Sequence, residues 1–210
     1  MKKAFQNLAL LFLFYHSSIA QNIEKEKVYT NIDDALKNPE KVYILNLSNQ
    51  EINLSNDQWK LFINLENLNL KNDGLKQIPK EISNLKRLKI LDISGNEFNE
   101  LPNEFSNLYN LEELYLNDEK NLKLSETLKI LAKLPKLKSL HLENDNLEEL
   151  PSDITRLKNL ENLYLNENKL KSIPNLKPLD HLKFLDLRKN NVKPELLDQK
   201  NLNFGFKIML

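Results

Sequence analysis

Apolar residues recur along this chain with a period close to 23. Seven segments share the pattern apolar-x-x-Leu-x-Leu, with one isoleucine in place of the last leucine, and they begin at Val42, Leu65, Leu88, Leu111, Leu137, Leu160 and Leu182. Successive segments start 23, 23, 23, 26, 23 and 22 residues apart. The two alternating apolar residues of each segment predict a short strand that buries one face. A single unit cannot bury its leucines, whereas stacked units can, so the pattern predicts a solenoid of repeats.

The second half of most units repeats as well. An Ile-Pro or Leu-Pro pair follows the strand in four units, at Ile78-Pro79, Leu101-Pro102, Leu150-Pro151 and Ile173-Pro174. Further apolar residues come at fixed offsets after the pair, as Ile82 and Leu85 do in the second unit. This half predicts a loop or a short helical turn that returns the chain along the outer side of the stack.

Together the two halves resemble the 23-residue subclass of the leucine-rich repeat family, over about residues 42–192. The resemblance implies an α/β leucine-rich repeat solenoid, with a curved parallel sheet on the concave face and loops and short helices on the convex face. It also implies an asparagine ladder, in which the polar residue that closes each strand hydrogen-bonds backbone groups of the turn. Gln50, Asp73, Glu119 and Asp145 depart from asparagine at these positions, so we expect looser turns in the first half of the solenoid.

The fourth unit is irregular on its outer side. It carries three extra residues and lacks the Leu-Pro pair, and Leu128, Leu131 and Leu134 lie at helical spacing instead. The spacing predicts an outer helix from residue 126 to about residue 133, capped by Ser125. We interpret this helix as an insertion on the convex side, and a binding element is the alternative.

The first twenty residues have the layout of a secretory signal peptide. Two lysines precede an apolar run over residues 8–15, and small residues stand at the end of the segment, where a signal peptidase cleaves. The run is shorter than the roughly 20 residues that a membrane span needs. We expect cleavage between Ala20 and Gln21, and a mature protein that is secreted, periplasmic or at the cell surface and does not span a membrane. A buried N-terminal helix is the alternative.

A solenoid exposes its core at both ends, so each end needs a cover. Residues 21–41 predict an N-terminal cap with a short helix over residues 30–36, and residues 42–192 hold the seven repeats. Residues 193–210 predict a C-terminal cap, because apolar residues alternate there as in a strand: Leu202, Phe204, Phe206, Ile208 and Leu210. A stub of a longer parent protein is the alternative for this last segment.

Composition narrows the classes of function. Lysine plus arginine equals aspartate plus glutamate at 30 each, which argues against a nucleic-acid binder held by bulk positive charge. The absence of cysteine excludes disulfides, thiolate zinc sites and cysteine nucleophiles. The three histidines and three glycines form no catalytic, metal-binding or phosphate-binding motif. The sequence therefore predicts a protein without cofactor or metal that is not an enzyme, and we expect a monomer.

The candidate site lies on the concave face, which we define by the residues that alternate with the buried leucines of the strands. Tyr115, His141 and Tyr164 occupy the same position on three successive strands, about 4.8 Å apart. Phe184 is expected diagonally beyond them. Acidic residues are expected around the rings: Glu113, Glu143 and Glu161. Exposed aromatics ringed by charge are typical of a recognition hot spot, and cross-strand stacking that merely stabilises the sheet is the alternative.

These observations favour an exported, non-catalytic module that binds a protein or peptide through the concave face. Fold resemblance carries much of this prediction, since repeats specify a scaffold and not a ligand. Two alternatives remain: an intracellular adaptor like the small-GTPase scaffolds of the family, or a regulatory partner of a separate enzyme chain. The row of aromatic residues also leaves room for a sugar ligand.

Overall fold

Nine short parallel strands form one sheet, in the same order as in the sequence. The structure is a computed structural model that describes residues 25–193 and 205–210. The strands are β1 Val28–Tyr29, β2 Ile44–Asn46, β3 Asn67–Asn69, β4 Ile90–Asp92, β5 Glu113–Tyr115, β6 Ser139–His141, β7 Asn162–Tyr164, β8 Phe184–Asp186 and β9 Lys207–Met209. Each residue of a repeat strand pairs with the residue at the same position in the next repeat, as Leu140 does with Leu163. The predicted α/β leucine-rich repeat solenoid is confirmed.

The leucines of the repeats form one continuous core. The middle residue of every repeat strand is buried, and its partner two positions later is buried too, as Leu163 and Leu165 illustrate. The first residue of each repeat strand is half-buried, on the opposite face of the sheet. Burying one leucine side chain contributes about 1.5–3 kcal/mol, so the stacked units stabilise one another. The predicted strand phase is correct.

Short helices and loops run along the convex side. The 3₁₀ helices Lys80–Asn84, Asn103–Asn107 and Ser152–Arg156 each follow the proline of an Ile-Pro or Leu-Pro pair. Each of them inserts one apolar side chain into the core, namely Ile82, Phe105 and Ile154. A fourth 3₁₀ helix, Pro39–Lys41, precedes β2. The proline half of the repeat thus becomes a helical turn that closes the core from outside.

The outer helix of the fourth unit, α3, spans Leu124–Leu131, so the predicted range of 126–133 is wrong by about two residues. The predicted cap is wrong as well: Lys123 holds the N-cap position, and the Ser125 hydroxyl donates to Oδ2 of Asp153 at 2.7 Å. The helix starts earlier because Leu124 is buried one turn before Leu128 and completes the apolar stripe.

Two four-residue α-helices lie within residues 31–60. α1, Ile32–Ala35, is capped by Asn31, whose side chain accepts from the backbone N–H of Asp34. α2, Asn56–Trp59, begins with a capping box between Ser55 and Gln58. The sequence analysis missed α2 and β1, because elements of two to four residues are too short to show a period. The predicted signal peptide, residues 1–20, lies outside the described residues.

At the C-terminal end, β9 pairs in parallel with β8 and places Ile208 beside Leu185. Ile208 and Phe206 are partly buried against the core, while Leu210 is exposed. The predicted strand is therefore present over Lys207–Met209. Leu202 and Phe204, which belong to the same prediction, lie outside the described residues.

The turn after each repeat strand has the same backbone conformation in all seven repeats. A left-handed residue with φ between 56° and 67° follows at Asn49, Asn72, Gly95, Asp118, Asn144, Glu167 and Lys189. The acidic departures from the asparagine ladder keep its first hydrogen bond, because Oδ1 of Asp73 accepts from the backbone N–H of Gln50 at 2.9 Å. A carboxylate accepts the same bond that an amide oxygen does, so the turns of the first half keep the backbone conformation of the second half.

Candidate functional site

Tyr115, His141 and Tyr164 stack ring on ring across three strands, and we call them the aromatic row. The ring centroids of Tyr115 and His141 lie 3.9 Å apart with planes 16° from parallel. Those of His141 and Tyr164 lie 4.2 Å apart with planes at 7°. The parallel register dictates this arrangement, since it sets the same position of β5, β6 and β7 side by side. Phe184 lies beyond, tilted by 50° and 5.3 Å from Tyr164.

Two glutamates hold the central ring from either side. Nε2 of His141 lies 3.1 Å from Oε1 of Glu113, and Nδ1 lies 3.2 Å from Oε1 of Glu143. A carboxylate oxygen accepts, so each contact is a hydrogen bond when that ring nitrogen carries a proton. The two carboxylates thus contact the edge of the imidazole ring, and the two tyrosines cover its faces.

The accessibility of the row differs from the sequence interpretation. His141 is only 7% exposed, because neighbouring rings cover both of its faces. Tyr115 and Tyr164 are half-buried, so these two rings present the accessible part of the row. His141 acts as a spacer between them, and its direct exposure to a ligand was wrongly expected.

Both tyrosines are held as neutral phenols. The hydroxyl of Tyr115 donates to Oε1 of Glu113 at 2.8 Å. Burial, followed by that hydrogen bond and the nearby negative charges, raises the pKa of Tyr115. Burial, with smaller effects from Glu113, Glu143 and Asp186, raises the pKa of Tyr164. At physiological pH the site thus offers phenol hydroxyls beside the acidic side chains of Glu113 and Glu143.

Glu161 belongs to a different feature of the surface. The residues that immediately precede the strands alternate in charge from repeat to repeat: Glu66, Lys89, Glu112, Lys138, Glu161 and Lys183. Each glutamate forms an ion pair with the lysine of the next repeat, and Glu161 pairs with Lys183 in this way. The hydrogen bond to Lys183 lowers the pKa of Glu161. The structure therefore brings Glu113 and Glu143 to the aromatic row and places Glu161 in this row of ion pairs.

Two aspartates flank the aromatic row at the same strand position, and the sequence analysis did not single them out. Asp186 on β8 is 1% exposed, and Arg188 donates from Nε and Nη2 to its carboxylate. Burial alone raises the pKa of Asp186, but the hydrogen bonds from Arg188 outweigh it and the pKa is lowered. Asp92 lies on β4 beside Tyr115. The repeat period predicts the position of both aspartates on the strands, but it does not show that Asp186 pairs with Arg188.

Two further properties concern the described part of the chain. Within residues 25–193 and 205–210, no group of three or more histidine, cysteine or acidic side chains is arranged to hold a metal ion. No helix there is long and apolar enough to cross a membrane.

Comparison with known proteins gives matches along most of the chain. A family model described as leucine-rich repeat region matches residues 35–139, and one described as leucine rich repeat matches residues 135–192. No curated protein matches in sequence.

Similar solved structures include a leucine-rich repeat protein of Leptospira interrogans, with 29% identity, a TM-score of 0.61, and coverage of 88% of this chain and 58% of that one. The TLR13–ssRNA13 complex has 27% identity and a TM-score of 0.63, and the match covers 79% of this chain and 23% of that one. An internalin of Listeria monocytogenes has 26% identity and a TM-score of 0.60, with coverage of 81% and 47%. The match therefore spans less than two thirds of the length of each of these proteins.

Proposed function

The chain belongs to the leucine-rich repeat family, and on that premise we propose that it is an exported, non-catalytic module that binds a protein or peptide through its concave face. The observation that carries this proposal is the aromatic row. The fold needs only the buried leucines, and the same strand position in the first two repeats holds Asn46 and Asn69. Rings gathered on three neighbouring strands of the face opposite the core therefore point to recognition.

The charges around the row indicate what kind of partner fits. Three acidic side chains lie around the rings, namely Asp92, Glu113 and Glu143. Electrostatic complementarity calls for a basic or amphipathic partner surface with an apolar anchor. One of the similar structures is a complex with ssRNA, but the carboxylates of this concave face would repel phosphates. We therefore propose a protein or peptide ligand and treat RNA as an outcome of the test.

Export is part of the proposal and rests on residues 1–20 alone. Their charged start, apolar run and small residues before Gln21 are the supporting features. The intracellular adaptor and the partner of an enzyme chain use the same concave face, so they differ from the proposal in location and not in binding mode.

A capture experiment tests the proposed function. Residues 21–210 are immobilised and exposed to culture supernatant and cell-envelope extract of the native host, and retained molecules are identified by mass spectrometry. We expect a protein that is retained by the wild type and by Glu148→Ala, whose side chain is 70% exposed away from the row, but lost from Tyr164→Ala. A partner retained equally by all three would place the site elsewhere, and the outer segment around α3 is then the next candidate. A retained RNA would contradict the ligand class.

A further inference from the structure

We propose that the concave face contains a subsite for an arginine side chain of the partner, formed by the carboxylates of Asp92 and Glu113 and by the outer ring face of Tyr115. The inference rests on the proposed function and deepens it, because it names the group that the aromatic row would receive. The occupant is an arginine of a protein or peptide.

The aromatic row is open at one end. His141 covers one face of the Tyr115 ring, on the β6 side. The opposite face is turned toward β4, where the register places Asp92 beside Tyr115. Among the described residues, no ring or cation lies against that face. At the other end of the row, Phe184 packs against Tyr164. A planar group can therefore extend the stack only at Tyr115.

A second aspartate, Asp186, occupies on β8 the strand position that Asp92 occupies on β4, and it binds an arginine. On β8, Asp186 is followed two residues later by Arg188, whose Nε lies 2.9 Å from Oδ1 and 3.1 Å from Oδ2. On β4, Asp92 is followed two residues later by Ser94, whose backbone N–H and hydroxyl both donate to Oδ1, at 3.0 and 2.6 Å. No hydrogen bond among the described residues reaches Oδ2 of Asp92. The carboxylate of Asp186 thus binds a guanidinium of the same chain, whereas within the described chain the carboxylate of Asp92 binds none.

The charges nearby favour a cation from outside. Glu113 lies two residues before Tyr115, and its Oε1 already accepts from the Tyr115 hydroxyl and contacts His141. Lys71 occupies the position of Ser94 on the neighbouring repeat, yet within the described chain it forms no ion pair with Asp92. Arginine fits better than lysine, because a guanidinium can stack on a tyrosine face and bind a carboxylate with two donors.

The Asp92→Asn variant is a clean probe of the subsite. It removes the negative charge and keeps the oxygen that accepts from the backbone N–H of residue 94. The chain already uses asparagine in this way: Oδ1 of Asn46 accepts from the N–H of Ser48, and Oδ1 of Asn69 accepts from that of Lys71. The variant should therefore fold like the wild type, and Glu148→Gln serves as a control for the loss of one exposed charge.

A displayed library of random heptapeptides is selected against residues 21–210 of the wild type, Asp92→Asn, Glu148→Gln and Tyr164→Ala. Wild type and Glu148→Gln should enrich peptides with arginine at one position, Asp92→Asn should lose that preference, and Tyr164→Ala should recover few peptides. One enriched peptide is then synthesised with arginine, lysine or citrulline at that position, and its affinity is measured by calorimetry. Replacing the arginine should weaken binding about tenfold on the wild type and little on Asp92→Asn.

The outcomes separate the subsite from the proposed function. Two results would overturn the subsite but leave the concave-face function intact. In the first, the enriched peptides depend on Tyr164 but show no preference for arginine. In the second, Asp92→Asn enriches peptides with the same preference for arginine as the wild type. The subsite and the proposed function would both be overturned if the wild type enriched no peptides. They would also be overturned if Tyr164→Ala and Asp92→Asn recovered the same peptides as the wild type.

Discussion

Oδ1 of Asp145 accepts a hydrogen bond from the backbone N–H of Glu119, one repeat earlier, at 2.8 Å. The next rung of this ladder is Asn168, which accepts from the N–H of Asp145 and also donates its amide to the carbonyls of Leu142 and Leu165. An ionised aspartate cannot make that second kind of bond. Oδ2 of Asp145 is buried without a hydrogen-bond partner among the described residues, and a proton on it would restore the donor that asparagine supplies.

The first prediction is a fall in stability as the pH rises through neutrality. Burial raises the pKa of Asp73 to about 6, of Glu119 to about 7 and of Asp145 to about 8. Backbone hydrogen bonds oppose this rise, and the charges of Asp118 and Glu143 add to it at Asp145. Unfolded carboxyls titrate near pH 4. These groups therefore stabilise the fold fully below pH 4, and that contribution is lost as the pH rises through 6 to 8.

Urea unfolding measured from pH 4 to pH 9 checks this dependence. The free energy of unfolding should decline between about pH 5 and pH 8, the window of the three raised pKa values. A free energy that is flat or rises across this window would show that the ladder carboxyls are not held protonated.

The second prediction is that Asp145→Asn stabilises the protein at alkaline pH. The amide supplies the missing donor at every pH, so the free energy of unfolding at pH 9 should rise by at least about 1 kcal/mol. Near pH 5, where the wild-type carboxyl carries its proton, the change should be small. Asp57→Asn is the matched control, because that aspartate is exposed and pairs with Lys60 on the surface. Equal effects of the two substitutions at pH 9 would contradict the ladder argument.

The third prediction compares neighbours on opposite faces of β7. Leu163 is 0% exposed in the middle of the core, so Leu163→Ala should cost about 2–5 kcal/mol of stability. Tyr164 faces the other way, and Tyr164→Ala should cost roughly the 1 kcal/mol of a cross-strand pair. Denaturant midpoints measure both. A loss for Tyr164→Ala as large as that for Leu163→Ala would mean that the ring is part of the core.

The fourth prediction concerns the polar contacts inside the aromatic row. His141→Phe keeps a ring between the tyrosines but removes the two nitrogens that contact the carboxylates of Glu113 and Glu143. The stability should fall by about 1–3 kcal/mol, because polar groups of these carboxylates lose their partner. Tyr115→Phe, which removes a single hydrogen bond to Glu113, should cost less. If His141→Phe were neutral or stabilising by urea unfolding, the contacts of His141 with the two carboxylates would contribute nothing to the fold.

Periodicity predicts those parts of the molecule that every repeat shares. The phase of Leu163 and the side-by-side placement of Tyr115 and His141 follow from a constant repeat length and a parallel register. The start of α3, the burial of His141 and the pairing of Glu161 with Lys183 do not follow from it. They depend on side-chain contacts between adjacent repeats, and the pattern of a single repeat does not show which side chains are in contact.

The fifth prediction concerns export. The charged start and short apolar run of residues 1–20 lead us to expect removal of this segment in the native host. N-terminal sequencing of the native protein should begin at Gln21. A cytoplasmic protein that retains Met1 would contradict export and favour the intracellular adaptor.

The most direct test of recognition through the concave face is the affinity of the captured partner for three variants. Tyr115→Ala and Tyr164→Ala remove the accessible rings of the aromatic row, and Glu148→Ala changes an exposed side chain away from it. With folding checked by circular dichroism, the dissociation constant should rise at least about thirtyfold for each tyrosine variant, as for a central hot spot. It should stay unchanged for Glu148→Ala. Equal and negligible changes for all three would contradict the account.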